Sequence, residues 1–210
     1  MKTKKKLVFN IIFYSLLTVV FVITTVSFGF NSIYTPIVVS GTSMSPNLKS
    51  GEFGYANKTK RRINKIKRND IVIFKPFEND DAIYIKRVIA LPNETFYLDS
   101  STCDIKINGE VIPQGYIEED IKVLTDNNAK KEFLDKEIIL GSDVFILLGD
   151  NRGNSLDSLH GLGVIKKDRI IGVLDVIVAT CDSGSYDDTS KRVCNFNQRN
   201  YYSIKDWKYY

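Results

Sequence analysis

Val38-Val39-Ser40-Gly41-Thr42-Ser43-Met44-Ser45-Pro46-Asn47-Leu48 lies just beyond an uncharged apolar run, with Ser43 thirteen residues past the run's end at Phe30. Two valines favour an extended backbone, the glycine frees it to turn and the pyrrolidine ring then fixes it. A hydroxyl on such a turn can be presented to a ligand. The same residue types also make an ordinary loop, so the rest of the chain has to decide between the two.

N-terminal to this stretch, Lys2, Lys4, Lys5 and Lys6 precede Leu7–Phe30, 24 residues without a charge. At about 1.5 Å per residue such a helix reaches roughly 36 Å, enough to cross a hydrocarbon core of about 30 Å with some tilt. The run is longer than the roughly 7 to 15 residues of a cleaved signal core, which favours a retained anchor. Four lysines before it, and no other until Lys49, predict a cytoplasmic N-terminus and an outward-facing remainder. Thirteen residues span at most about 45 Å, so Ser43 is held near the membrane surface.

C-terminal to it the pattern is one of short strands. Gly51–Ala56, Asp70–Lys75 before Pro76, and Ala82–Leu91 before Pro92 read as strands. Asp104–Ile112 reads as two strands joined at Asn108-Gly109, a dipeptide suited to a type I′ turn. Glu118–Leu140 is open between a loop and a short helix, whereas Asp143–Leu148 and Arg169–Ala179 are apolar enough for buried strands. The expected fold is mainly β, antiparallel sheets forming one extracytoplasmic catalytic domain over 31–180. It has a small β-ribbon insertion, one transmembrane helix before it (7–30, after a cytoplasmic 1–6) and a polar tail (181–210) behind it.

Composition narrows the function. Hydrophobic content of 43% with 26% charged residues is that of a globular protein, and some 170 to 180 residues outside the anchor make about one domain. The basic cluster Lys58–Arg68 has no interleaved aromatics and no nucleic-acid motif, so it reads as a solvated loop beside the membrane, not as a nucleic-acid site. Three cysteines without a CxxC or Cys/His cluster imply no metal centre. Cys181 and Cys194 are either a disulfide or free thiols.

If Ser43 is a nucleophile, it needs a base within hydrogen-bond reach. The only histidine, His160, stands in Asp157-Ser158-Leu159-His160-Gly161, where it reads more readily as a turn residue. A lysine can serve only if burial lowers its pKa from about 10.4 by two to three units. Ile83–Leu91 offers that setting, because a period of two puts Tyr84, Lys86, Val88 and Ala90 on one strand face. Arg87 then points the other way among Ile85 and Ile89 and requires a carboxylate, for which Asp150 is the candidate. The third polar stretch, Gly149–Ser158, follows the apolar Val144–Leu148. Counted from Asp150 as the first position, Arg152 is the third and puts a cation where a calcium loop needs oxygen.

Taken together, Ser40–Pro46, Lys86–Pro92 and Gly149–Ser158 resemble the nucleophile, lysine and Gly-Asp-Asn-Arg boxes of the bacterial type I signal peptidases, Gram-positive-like, in that order and behind an anchor. The resemblance implies a membrane-bound serine endopeptidase that cleaves signal peptides from exported preproteins after small residues, with no cofactor. Its partners would be preproteins, membrane lipid and a nearby secretion translocon. It implies Ser43 as nucleophile, Lys86 as base, Ser155 as the hydroxyl that orients the amine, and the Ser43 N–H as an oxyanion donor. Gly41 stands where some members carry a second oxyanion donor. It further implies a pocket from Ile37, Val39, Met44, Leu48, Tyr84 and Ile85; Ile37, Val39, Gly41 and Ser43 would share one strand face. Arg87 and Asp150 would support the site. Leu159 stands where the family often has arginine, so Arg152 is expected to pair with Asp157 instead. Two other readings are weighed: a self-cleaving regulator, which should begin with a DNA-binding domain and not an anchor, and a membrane-tethered extracytoplasmic binding module without catalysis.

Overall fold

The computed structural model describes residues 2–62, 64–78, 81–117, 132–186, 192–195 and 202–203, with side chains described within 5–180. Helix α1 runs over Lys2–Ile33, longer at both ends than the apolar run alone predicts. It is exposed from Lys5 onward, apart from a half-buried Gly29, and an 18-residue window within Lys5–Ile33 reaches a mean hydropathy of 2.4, long and apolar enough to span a membrane. The hydroxyls of Ser15, Thr18, Thr24, Thr25 and Ser32 donate back to carbonyls three or four residues earlier. Those bonds satisfy the hydroxyls within the helix itself. At its exit Phe30 packs on Tyr34 and Tyr55, and Tyr55 on Phe53, a chain of rings suited to the headgroup depth.

The strands are β1 (Tyr34–Val38), β2 (Glu52–Asn57), β3 (Ile71–Phe74), β4 (Tyr84–Ala90), β5 (Thr95–Leu98), β6 (Ile105–Ile107), β7 (Glu110–Val111), β8 (Ile138–Ile139), β9 (Val144–Leu148), β10 (Ile165–Lys166), β11 (Ile170–Tyr186), β12 (Arg192–Asn195) and β13 (Tyr202–Ser203). A large sheet has the order β1-β2-β11-β3-β4-β9-β10, with β12 and β13 also pairing β11, and a small one the order β7-β6-β5-β8. All the strand pairs are antiparallel, as expected for a mainly β chain. Asn108 and Gly109 take φ of 53° and 85°, the positive values that a type I′ turn demands, and join β6 to β7 as the ribbon.

Strand β9 shows how the core is divided. Ile146 and Leu148 face a cluster shared with Phe96, Leu98 and Ile105 of the small sheet, whereas Phe145 and Leu147 face Val72, Phe74 and Val173 on the other side. A strand buried on both faces reads as a continuous apolar run, which is why Val144–Leu148 lacks alternation. A third cluster, Val39, Met44, Leu48, Ile71, Leu174 and Ile177, lies under the Ser43 stretch.

Two features differ from the sequence expectation. Strand β11 continues past 180 to Tyr186, and the tail segments β12 and β13 pair with it. In that pairing Cys181 stands opposite Cys194. The basic cluster begins as a short helix, α2 (Lys58–Arg62), whose Lys58 Nζ donates to the carbonyl of Asn31 at 2.5 Å and so ties the domain to the end of α1. The open choice of loop or helix for Glu118–Leu140 falls largely outside the described residues; only β8 emerges within it.

Candidate active site

The Ser43 stretch forms a loop closed at its base by Val39 N–H donating to the Glu52 carbonyl and Gly51 N–H to that of Val39. Met44 and Leu48 drop into the third cluster with no more than 1% exposure, and the Leu48 N–H donates to the Met44 carbonyl. Gly41 has φ +85°, a turn that L side chains resist, and there the extended run of β1 ends. Ser43 is thus carried on a loop pinned from below by two apolar side chains.

A second loop grips the first from above. Asn151 N–H donates to the Ser43 carbonyl at 3.1 Å, Asn151 Nδ2 to the Thr42 carbonyl and Asn154 Nδ2 to Thr42 Oγ1. Among the described residues no acceptor meets the Ser43 N–H, which is left available to a ligand. Gly149 is required where it stands: a Cβ there would lie 2.2 Å from Ser155 Oγ and 2.5 Å from the Ser43 carbonyl oxygen.

Lys86 comes from β4. Only 3% exposed, it brings Nζ to 2.7 Å from Ser43 Oγ, and its other hydrogen bond is to the Ile85 carbonyl at 3.0 Å. Burial is the main influence on the amine, and the Asp157 and Asp150 carboxylates oppose it; the net result brings its pKa down to about 8. Protonated, the amine donates to the Ser43 hydroxyl; neutral, it can accept that hydroxyl's proton.

The neighbouring Arg87 lies on the far face of β4, 1% exposed. Its Nε and Nη2 donate to Asp150 Oδ1 and Oδ2 at 2.7 and 2.6 Å, its Nη1 donates to the Asn69 carbonyl, and the guanidinium stacks 4.3 Å from the Tyr116 ring centroid. Asp150 Oδ2 also accepts from Asn47 Nδ2, which donates to the Tyr116 carbonyl as well. The buried pair therefore ties β4, the 149–154 loop and the nucleophile loop at one point.

Several site expectations need correcting. Arg152 does not pair with Asp157: the Arg152 guanidinium donates to the Gly149 carbonyl, Gln114 Oε1 and Tyr116 Oη. Its three-residue helical turn, Arg152–Asn154, aims it at the ribbon side. The Asp157 carboxylate is met instead by the N–H groups of Gly149, Leu159 and His160 and by His160 Nδ1 at 3.0 Å. Ser155 Oγ is buried without a hydrogen-bond partner, so no bond joins it to Lys86.

A cleft of about 560 Å³ opens above Ser43 and Lys86, lined by Ile37, Val39, Tyr84 and Ile85 among the expected pocket residues. Met44 and Leu48 are floor beneath it and not lining, because the chain has turned at Gly41 before reaching them. Sequence reasoning missed Ile73 in its wall and Val38, Ile83 and Leu156 at its rim, the last three 40%, 57% and 45% exposed. It missed Asn47, Tyr116 and Gln114 as well, none of which stands in a recognisable motif.

The model of the family described as "Signal peptidase, peptidase S26" matches residues 11–179. Signal peptidase I T of Bacillus subtilis strain 168 is 35% identical over 140 residues, covering 67% of this chain and 71% of the relative. Signal peptidase I of Bacillus licheniformis is 35% identical over 140 residues, with 67% and 74% covered. The crystal structure of a signal peptidase I from Enterococcus faecalis V583 is 29% identical and covers 52% of this chain and 97% of that one, with a TM-score of 0.41. With the family model matching most of its length and relatives above 30% identity, this chain belongs to the signal peptidase family, peptidase S26.

Proposed function

We propose that this signal peptidase is a single-pass membrane enzyme, N-terminus cytoplasmic and catalytic domain outside, that cuts preproteins with Ser43 as nucleophile and Lys86 as general base. The observation that carries this reading is the 2.7 Å approach of a buried amine, with its pKa near 8, to a serine hydroxyl on the floor of an apolar cleft. At pH 7 about a tenth of such an amine is neutral, against less than a thousandth of an ordinary lysine.

The neutral amine takes the Ser43 proton as Oγ bonds to the scissile carbonyl carbon. The carbonyl oxygen becomes an oxyanion facing the Ser43 N–H, where one well-placed donor is worth about 3 kcal/mol. The resulting ammonium returns its proton to the leaving amine, the C–N bond breaks and an acyl-Ser43 ester remains. Lys86 then deprotonates a water, whose hydroxide attacks the ester carbonyl; the ester C–O bond breaks and the Lys86 ammonium returns the proton to Ser43 Oγ. Ser155, with an unsatisfied hydroxyl beside this machinery, is kept as the group that steadies the amine when substrate shuts out solvent.

Substrate geometry follows from two free edges. Among the described residues, strand β1 pairs only with β2, and β4 meets β9 only from Arg87 onward, so backbone groups of β1 and of Tyr84–Lys86 are open beside the cleft. An extended peptide can add there as a strand, with its first and third side chains before the cut pointing to the same apolar wall. Full-length protein in lipid vesicles is expected to cut a preprotein after alanine, and exchanging that alanine for phenylalanine to slow cleavage by about a hundredfold or more. N-terminal sequencing of the product checks the site; equal rates for both substrates would count against the small-residue wall.

A further inference from the structure

We infer that His160 is a positioning residue of this enzyme: its ring holds the Asp157 carboxylate that fastens the 149–160 loop beside the Ser43–Lys86 pair. The inference rests on the peptidase reading above and concerns a residue that the resemblance gives no role.

Asp157 is fully buried. Its Oδ2 accepts from Gly149 N–H at 3.0 Å, and Gly149 is the residue packed without a gap against Ser155 Oγ and the Ser43 carbonyl. Its Oδ1 accepts from Leu159 and His160 N–H groups and lies 3.0 Å from His160 Nδ1. Through one carboxylate, then, the imidazole is linked to the backbone that shapes the site. The chain bends to allow this: His160 and Gly161 leave helical geometry, with φ/ψ of −110°/47° and 120°/−31°. The Leu159 side chain, at the position where the resemblance implies arginine, is buried in the core cluster with Ile89, Phe96 and Leu148 and carries no donor for a carboxylate. The next residue supplies one instead.

The link is electrostatic as well as geometric. Among the described residues, Lys86 from β4 and Arg152 from the facing turn act on Asp157 through their charges, and the His160 ring of its own loop lies against Oδ1; Lys86 also feels Asp150. Asp157 draws the Lys86 amine toward its protonated form. A donor on Oδ1 weakens that pull, and a fixed cation there would weaken it further.

The test uses the full-length protein in lipid vesicles and the pH dependence of kcat/KM for preprotein cleavage, in wild type and in His160→Ala, His160→Asn and His160→Arg. His160→Ala is expected to lose about tenfold in kcat. Its rising limb should move to higher pH by roughly half a unit, since the unscreened carboxylate holds the Lys86 proton more tightly. His160→Asn, whose amide can donate from near the place of Nδ1, should recover to within about threefold of wild type. His160→Arg should move the limb to lower pH. A merely structural role would lower rates without opposite shifts of the limb; limbs that coincide, or that move the same way in His160→Ala and His160→Arg, overturn the inference. If His160→Ala fails to fold, the His160→Asn and His160→Arg comparison with wild type still decides. A wild type that cleaves nothing would remove the peptidase reading and this inference together, whereas an active wild type with unmoved limbs removes His160 alone.

Discussion

Replacing Lys86 by methionine is expected to abolish preprotein cleavage, by a factor of about a thousand or more, while making the domain more stable at neutral pH. The two effects have one cause. In the fold the amine has a pKa of about 8, against an ordinary 10.5. Between these values the unfolded chain binds more protons than the folded one, so stability rises as pH increases from about 8 to 10.5. Below about 8 the folded state carries the full cost of a buried ammonium, on the order of 3 kcal/mol. Methionine has a similar length and no charge, so it removes that cost and loses the hydrogen bonds to Ser43 and the Ile85 carbonyl, for a net gain of roughly 1 to 2 kcal/mol. Urea unfolding of the full-length protein in detergent, followed by circular dichroism at several pH values, reads both the gain and the flattened pH slope. A Lys86→Met variant that is less stable at pH 7 than wild type would show that the amine is not held at a cost.

The largest loss of stability is expected from Asp150→Ala. Arg87 is 1% exposed and Asp150 fully buried, and the two share a two-pronged ion pair. Removing the carboxylate breaks both prongs of the pair while the guanidinium stays buried beside the Asn69 carbonyl and the Tyr116 ring. Such a break costs about 3 to 5 kcal/mol, whereas replacing both partners with apolar residues often costs little. The double variant Arg87→Met, Asp150→Leu should therefore recover most of the lost stability in the same urea measurement. It should not recover activity, because Asn47 Nδ2 loses its acceptor on Asp150 and the nucleophile loop loses one of its ties. A single variant within 1 kcal/mol of wild type would mean that the pair is not the fastening it resembles.

The parts that were legible in the sequence are those set by local rules. The uncharged run became α1, the Asn108-Gly109 dipeptide became a turn with two positive φ values, and Ser43 and Lys86 meet although 43 positions separate them. Period-two reasoning placed Lys86 and Arg87 on opposite faces of β4 correctly because their pairing with β3 is regular, but it failed at Ala90, where the register with β9 shifts after Val88 and the side chain joins the cluster of Ile89 instead of that of Val88. The pocket role that the resemblance implied for Met44 and Leu48 is not met, since the backbone turns at Gly41 and both point down into the core. The Asp157 partner was misjudged for a related reason. Arg152 is near in sequence, but its turn sends it to Gln114 and Tyr116, and a half-buried histidine after a backbone kink takes its place. Asn47 and Tyr116 could not be found at all, because their role exists only once three separate loops converge on Asp150 and Arg87.

The most direct test of the Ser43–Lys86 pair is the cleavage rate of one preprotein by the full-length protein in lipid vesicles at pH 8, wild type against Ser43→Ala. The alanine keeps the loop, its apolar pins and the backbone N–H, and removes only the oxygen 2.7 Å from Lys86 Nζ. The predicted result is a loss of about a thousandfold or more. A Ser43→Ala rate within about tenfold of wild type would contradict nucleophilic attack by this hydroxyl.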